Sequence, residues 1–156
     1  MIDPAHILLV DDDADDVAVA LRAVHLSEDL DVHVEVARDG REALAALGVE
    51  PNGSGIPRVS PCVVFLDLKM PRVDGWEVLR RLRASPLTRD LPVVVLSWSA
   101  EREDVESCYE LGANSFLVKR FSMRAPGAYF ADAVRYWVDL NQAPLSATQR
   151  LRGARS

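Results

Sequence analysis

The chain has 156 residues, which suits one domain with at most a short appendage. Its 49% hydrophobic and 27% charged residues describe an ordinary soluble fold that needs no staples. A net charge of −6 argues against a nucleic-acid binder, no apolar run reaches the roughly 20 residues of a membrane span, and Met1-Ile2-Asp3-Pro4 has no signal-peptide character.

Along the chain, short apolar runs alternate with helical patterns. Ile7-Leu8-Leu9-Val10 ends in Asp11-Asp12-Asp13, and a helix follows with Val17, Ala20, Leu21 and Val24 on one face. Val32, Val34 and Val36 alternate with polar residues, which predicts a half-exposed strand near an edge. Asp39-Gly40 turns into a short helix with Ala43, Leu44 and Leu47 inward, and residues 48–61 are loop by composition. Val63-Val64-Phe65-Leu66 ends at Asp67, and Asp74, with Glu77 three residues on, reads as a helix N-cap. Pro92-Val93-Val94-Val95-Leu96 ends at Ser97. A helix from about Ala100 to Leu111 stops at Gly112. Phe116-Leu117-Val118 ends at Lys119, and a last helix covers Pro126 to Leu140. Cys62 and Cys108 have neither disulfide nor metal spacing, and the chain reads as cytoplasmic. His6, His25 and His33 likewise share no metal spacing.

Near-continuous apolar strands separated by amphipathic helices imply a doubly wound α/β fold, a (βα)5 array around a five-stranded parallel sheet. Ligands of such sheets bind beyond the carboxyl ends of the strands. There the strands deliver Asp11, Asp12 and Asp13, then Asp67, Ser97 and Lys119. Clustered carboxylates repel one another, and a hard divalent cation such as Mg²⁺ resolves the repulsion. The metal, one hydroxyl and one ammonium make a phosphoryl site, in which Asp67 is the candidate nucleophile for an aspartyl-phosphate.

This arrangement resembles the receiver domain of two-component response regulators, a flavodoxin-like fold. The resemblance rests on the acidic group after the first strand, Asp67 followed by Met70-Pro71 and Asp74-Gly75, then Ser97 and Lys119. It covers roughly residues 5 to 141. It implies Asp67 as phospho-acceptor and Asp12 as Mg²⁺ ligand, with Asp11 assisting through water and the Lys69 carbonyl as a further ligand. It also implies Ser97 and Phe116 as a switch pair and Lys119 as the active-site lysine. Leu66-Asp67-Leu68, Pro92 to Ser97, Ser107-Cys108-Tyr109-Glu110-Leu111 and the long loop before the third strand are similar to single-domain regulators partnered with bacterial phytochromes. The likeness therefore implies a sensor histidine kinase, a bacteriophytochrome, as phosphodonor and a homodimer built on the last helix and last strand. It admits a histidine phosphotransfer protein as a further partner and, beyond phosphate loss from the acceptor itself, implies no enzyme.

Three features depart from the family. Arg120 stands where proline usually follows the lysine; a cis bond there would cost about 3 kcal/mol, so a trans bond and an altered loop are expected. Trp98 replaces a small residue beside Ser97, and its ring is expected to cover part of the site. Lys69 and Ser99 flank the path of the hydrolytic water and give no forecast of phosphate lifetime.

Plainer readings stand beside these. The acids after the first strand also suit a helix cap, and Asp15 and Asp16 read as first-turn helix acids. In the last helix, Tyr129, Phe130, Val134 and Trp137 are the candidate interface, since the helix carries two apolar stripes and one must face the sheet. The division is a receiver domain over 1–141 and a tail over 142–156 with no output domain. Two other functions remain open. A small haloacid-dehalogenase-type phosphatase would use the Asp-x-Asp spacing at Asp11 and Asp13, although Asp15 departs from its motif. A phosphorylation-independent scaffold is the other.

Overall fold

A computed structural model describes residues 3–49, 55–120 and 125–144. Strands and helices alternate as β1 (Ala5–Val10), α1 (Ala14–His25), β2 (Val32–Ala37), α2 (Gly40–Ala46), β3 (Val63–Asp67), α3 (Gly75–Ala84), β4 (Val93–Ser97), α4 (Arg102–Glu110), β5 (Ser115–Val118) and α5 (Ala128–Arg135). The strands form one parallel sheet in the order β2-β1-β3-β4-β5. This is the doubly wound α/β fold that the alternating pattern predicts. Among the described residues, no helix is long and apolar enough to cross a membrane.

The inner strands are apolar along their length because helices cover both faces. Side chains alternate across the pleat. Leu8, Val10, Val64, Leu66, Val93 and Val95 pack with Leu44, Val78, Leu79, Leu82 and Cys108 of α2, α3 and α4. Ile7, Leu9, Phe65, Val94 and Leu96 pack with Val17, Ala20 and Val24 of α1 and Phe130 and Val134 of α5. The predicted edge strand is β2, and its residues are only partly covered, as the alternation of valines with polar residues implies.

Local chemistry sets the helix starts. Asp13, Asp39 and Asp74 each turn a carboxylate oxygen onto backbone N–H groups of the first helical turn, 2.7–3.0 Å away. At the far end of the sheet Arg83 of α3 ties loops together, donating to the carbonyls of Gly112 (2.9 Å) and Leu91 (2.8 Å) and to Asn114 Oδ1 (2.8 Å). Nothing in the spacing of the sequence signalled this tie.

Gly75 holds the start of α3 against the end of β3. A Cβ at this position would lie 2.5 Å from the Asp67 carbonyl oxygen and 2.7 Å from Leu68 Cα. Both are backbone atoms and cannot rotate away. Gly75→Ala is therefore expected to push α3 off the strand and cost roughly 1–3 kcal/mol or more, as overpacking does, read by urea unfolding. Parent-like stability would show that α3 can shift freely.

Two expectations need correction. The last helix is not one regular element from Pro126 to Leu140. It ends at Arg135 and continues as a π-helical turn over Tyr136–Leu140, closed by the Asn141 N–H on the Tyr136 carbonyl at 2.7 Å. Phe130 and Val134, assigned to an interface, are 0% exposed. They form the sheet-facing stripe, with Phe130 edge-on to Phe65 at 4.9 Å between ring centroids. Burying each such side chain contributes about 1.5–3 kcal/mol to the monomer, so neither is free to meet a partner. Tyr129 and Trp137 are half-buried against the same core. The large apolar groups exposed at this end are Tyr136 (49%) and Leu140 (72%).

Candidate functional site at the strand ends

The sheet order reverses between β1 and β3: the chain leaves β1 toward β2 on one side and returns to β3 on the other. Crossover helices then diverge and leave a crevice at the carboxyl ends of those two strands. Asp11 follows β1 and Asp67 ends β3 at this point. Ser97 ends β4, and Lys119 follows β5. The Lys119 N–H donates to the Ser97 carbonyl at 2.7 Å, which fixes the two strand ends side by side. The result is a cavity of about 540 Å³ lined by Asp12, Asp13, Asp16, Asp67, Lys69, Ser97, Trp98, Ser99 and Lys119.

Four polar groups at the base of the site lie deep. Asp11, Asp67, Ser97 and Lys119 are each at most 7% exposed. The Lys119 ammonium donates to Asp11 Oδ2 at 2.8 Å and Asp16 Oδ2 at 2.8 Å, and lies 3.3 Å from Asp67 Oδ1. Asp11 Oδ1 also accepts the Asp13 N–H at 3.0 Å. Burial pushes the Asp67 carboxyl up to about 6, with the Asp11 and Asp12 charges adding to the rise and Lys119 opposing it. Asp11 is likewise raised, chiefly by burial. Burial pulls Lys119 down, but its bonds to Asp11 and Asp16 outweigh this and hold it above the ordinary lysine range. Tyr129, behind the site on α5, is pushed up to about 12 by burial.

Carboxylate oxygens of Asp11, Asp12 and Asp67 lie within 4.8 Å of one another. Three hard anionic donors at that spacing, two of them buried and raised in pKa, fit a divalent cation of the Mg²⁺ or Mn²⁺ class. Lys69 lines the same cavity. Phe116 does not; it sits half-buried on β5 and packs with the α2–α4 face of the core. As an edge strand, β5 leaves it less covered than a core phenylalanine.

Asp13 is a plain helix cap, as its acid-after-strand position allowed. The Lys119–Arg120 peptide is trans, as expected; residues 121–124, where an altered loop was expected, lie outside the described residues, as do 145–156 of the tail. Trp98 is 58% exposed at the mouth of the cavity, its ring centroid 5.9 Å from Lys119 Nζ. Sequence reasoning missed Asp16. It takes Lys119 on Oδ2 and also accepts the Trp98 indole N–H there at 3.0 Å. The available signal was its place next to Val17, the first buried position of α1, on the border of the inward face.

A family model described as the response regulator receiver domain matches residues 7–125. Response regulator Rcp1 of Synechocystis sp. is 31% identical over 141 residues, 90% of this chain and 94% of that protein. The Mn²⁺-bound structure of Rcp1 superposes with a TM-score of 0.78 at 30% identity, covering 91% of this chain and 100% of that one. The phosphorylated cyanobacterial phytochrome response regulator RcpA gives a TM-score of 0.80 at 30% identity, with 91% and 99% covered. The bacteriophytochrome response regulator AtBRR gives 0.68 at 39% identity, with 92% and 99% covered. Sequence pattern, sheet topology and these likenesses agree, and this chain belongs to the response regulator receiver domain family, close to Rcp1 and to the bacteriophytochrome response regulators.

Proposed function

We propose that this protein accepts a phosphoryl group on Asp67 from a sensor histidine kinase of the bacteriophytochrome class. The observation that carries the proposal is the convergence of Asp67 with Asp11, Asp12, Ser97 and Lys119 in one crevice at the switch point of the sheet. Receiver domains are signalling modules, and this favours phosphotransfer over the phosphatase alternative. The bacteriophytochrome donor is inferred from the likeness to RcpA and AtBRR.

In the transfer, an Asp67 carboxylate oxygen attacks phosphorus, the P–N bond of the kinase phosphohistidine breaks, and its electron pair returns to the imidazole. Asp67 must be ionised to attack; burial opposes that form, and Lys119 and a bound divalent cation favour it. Asp12 and Asp67, with the Lys69 carbonyl and with Asp11 assisting through water, would hold Mg²⁺, which would supply positive charge to the phosphoryl oxygens. Lys119 offers an ammonium to one phosphoryl oxygen, and the Ser97 hydroxyl donates to another. Ser97 moving inward makes room for Phe116 to follow, and the β5 and α4–α5 surface changes as a shift between two populations. Homodimerisation through β5 and α5 then falls to Tyr136 and Leu140 rather than to Phe130 and Val134. The setting is the cytoplasm, and phosphate passes on to a histidine phosphotransfer protein or is lost to water at Asp67.

Acetyl phosphate with Mg²⁺, or a bacteriophytochrome kinase with ATP, tests the proposal by intact mass. One added phosphoryl group, absent in Asp67→Asn, supports it. Unchanged mass with a folded protein and Mg²⁺ present refutes it. Light scattering before and after phosphorylation reports the dimer.

A further inference from the structure

We propose that Asp16 is a positioning residue that holds Lys119 and Trp98 on one carboxylate oxygen in the resting protein and gives up both when Asp67 is phosphorylated. The inference rests on the phospho-acceptor reading of Asp67. An ammonium has three N–H donors. In the resting protein all three directions face acids: Asp11 Oδ2 at 2.8 Å, Asp16 Oδ2 at 2.8 Å and Asp67 Oδ1 at 3.3 Å. Phosphorylation moves the negative charge of Asp67 outward onto phosphoryl oxygens. Lys119 can follow it only by turning from one of its other partners.

Burial decides which partner is released. The Asp11 side chain is 3% exposed, so leaving it without a cation strands a desolvated charge. The Asp16 side chain is 20% exposed, and water can replace the lost bond. Asp16 is the cheaper partner to lose. Trp98 is held at two points, its indole N–H on Asp16 Oδ2 at 3.0 Å and its ring 5.9 Å from Lys119 Nζ. When the ammonium swings toward the phosphoryl group, the ring loses its cation, and hydration of Asp16 competes for the indole N–H. Trp98 also follows Ser97 in the chain, so the inward step of Ser97 pulls on the same backbone. The half-exposed ring at the cavity mouth thus reports the charge state of Asp67.

The test uses the indole N–H signals of the 3 tryptophans in a ¹H–¹⁵N NMR spectrum, with Trp98→Phe identifying the Trp98 signal. The probe is beryllofluoride with saturating Mg²⁺. In the parent chain the Trp98 signal is expected to move on probe binding. In Asp16→Ala, which keeps no acceptor for the indole N–H, it is already displaced without probe and moves little when probe is added. With its competitor gone, Lys119 binds the probe roughly five- to tenfold tighter, the scale of one charged hydrogen bond partly replaced by water. In Asp67→Asn the resting Trp98 position is kept and the probe does not bind. If Asp16→Ala leaves the resting Trp98 signal in place, Asp16 does not hold the ring and the proposal falls. If the parent binds probe while Trp98 stays still, the exchange is wrong although Asp67 is an acceptor. If the parent binds no probe, the acceptor reading itself is overturned and the exchange with it.

Discussion

Replacing Lys119 by methionine is expected to destabilise the metal-free protein by roughly 3–5 kcal/mol at neutral pH, the cost of removing one partner from a buried ion pair. Methionine keeps most of the apolar stem, so the change isolates the ammonium. It leaves Asp11 and Asp67 facing each other at 2% and 7% exposure with no cation between them. Because the folded site holds Lys119 above the ordinary lysine range, its contribution is fully present at neutral pH and is lost only as pH rises through that raised value. Two rescues are expected. Mg²⁺ restores part of the loss by occupying the same three acids. Mild acid restores part of it by protonating carboxyls that burial has already raised. Urea unfolding of Lys119→Met with and without Mg²⁺ measures both effects. A variant as stable as the parent in metal-free buffer would mean that the acids relax apart or fill with water, and that the site is less rigid than its geometry indicates.

Asp67→Asn is expected to act in the opposite direction, gaining about 1–3 kcal/mol at neutral pH without divalent metal. The ordinary value of 3.8 is raised to about 6 in the folded protein, chiefly by burial. At about 1.4 kcal/mol for each unit, the ionised carboxylate carries a cost of up to about 3 kcal/mol, which asparagine does not pay. An acid raised on folding contributes stability below its ordinary value and loses it as pH rises through the folded one. Parent stability should therefore decline between pH 3.8 and about 6 at this position, and the Asp67→Asn profile should be flatter there. Mg²⁺ should reverse the ranking. A cation at a hundred times its dissociation constant adds about 2.7 kcal/mol to a protein that binds it. The asparagine variant, one anionic ligand short, gains far less. Thermal unfolding across pH, with and without Mg²⁺, decides the matter. Equal melting temperatures for the two chains in metal-free buffer would show that Lys119 fully compensates Asp67.

The fold was legible in the sequence because buried strands and amphipathic helices impose different periods. The runs ending at Asp67, Ser97 and Lys119 are continuous because both faces of the sheet are covered. The half-polar strand at Val32–Ala37 is an edge, as its alternation implies. The acids after β1, with Asp67, Ser97 and Lys119, were legible as a site because parallel strands deliver their last residues to one side. The role of Asp16 was not. On a helix pattern it is one more first-turn acid, and its importance comes from Lys119, more than a hundred residues away along the chain. The stripes of α5 were ambiguous for the same reason. Either stripe could meet the sheet, and only the position of Phe65 beneath Phe130 decided which one does.

What the sequence determined by itself is therefore what depends on neighbours along the chain: the elements, their caps at Asp13, Asp39 and Asp74, and the chemistry at the end of each strand. Tertiary structure decided what depends on neighbours across the fold. It selected the buried face of α5, placed Arg83 as a tie at the far end of the sheet, and set Lys119 among three acids while sharing one oxygen of Asp16 with Trp98. Backbone hydrogen bonds and apolar periodicity act over a few residues, so a linear pattern records them. Burial of a charge and the choice of its partners depend on which distant side chains exclude water from it, and no local pattern carries that information.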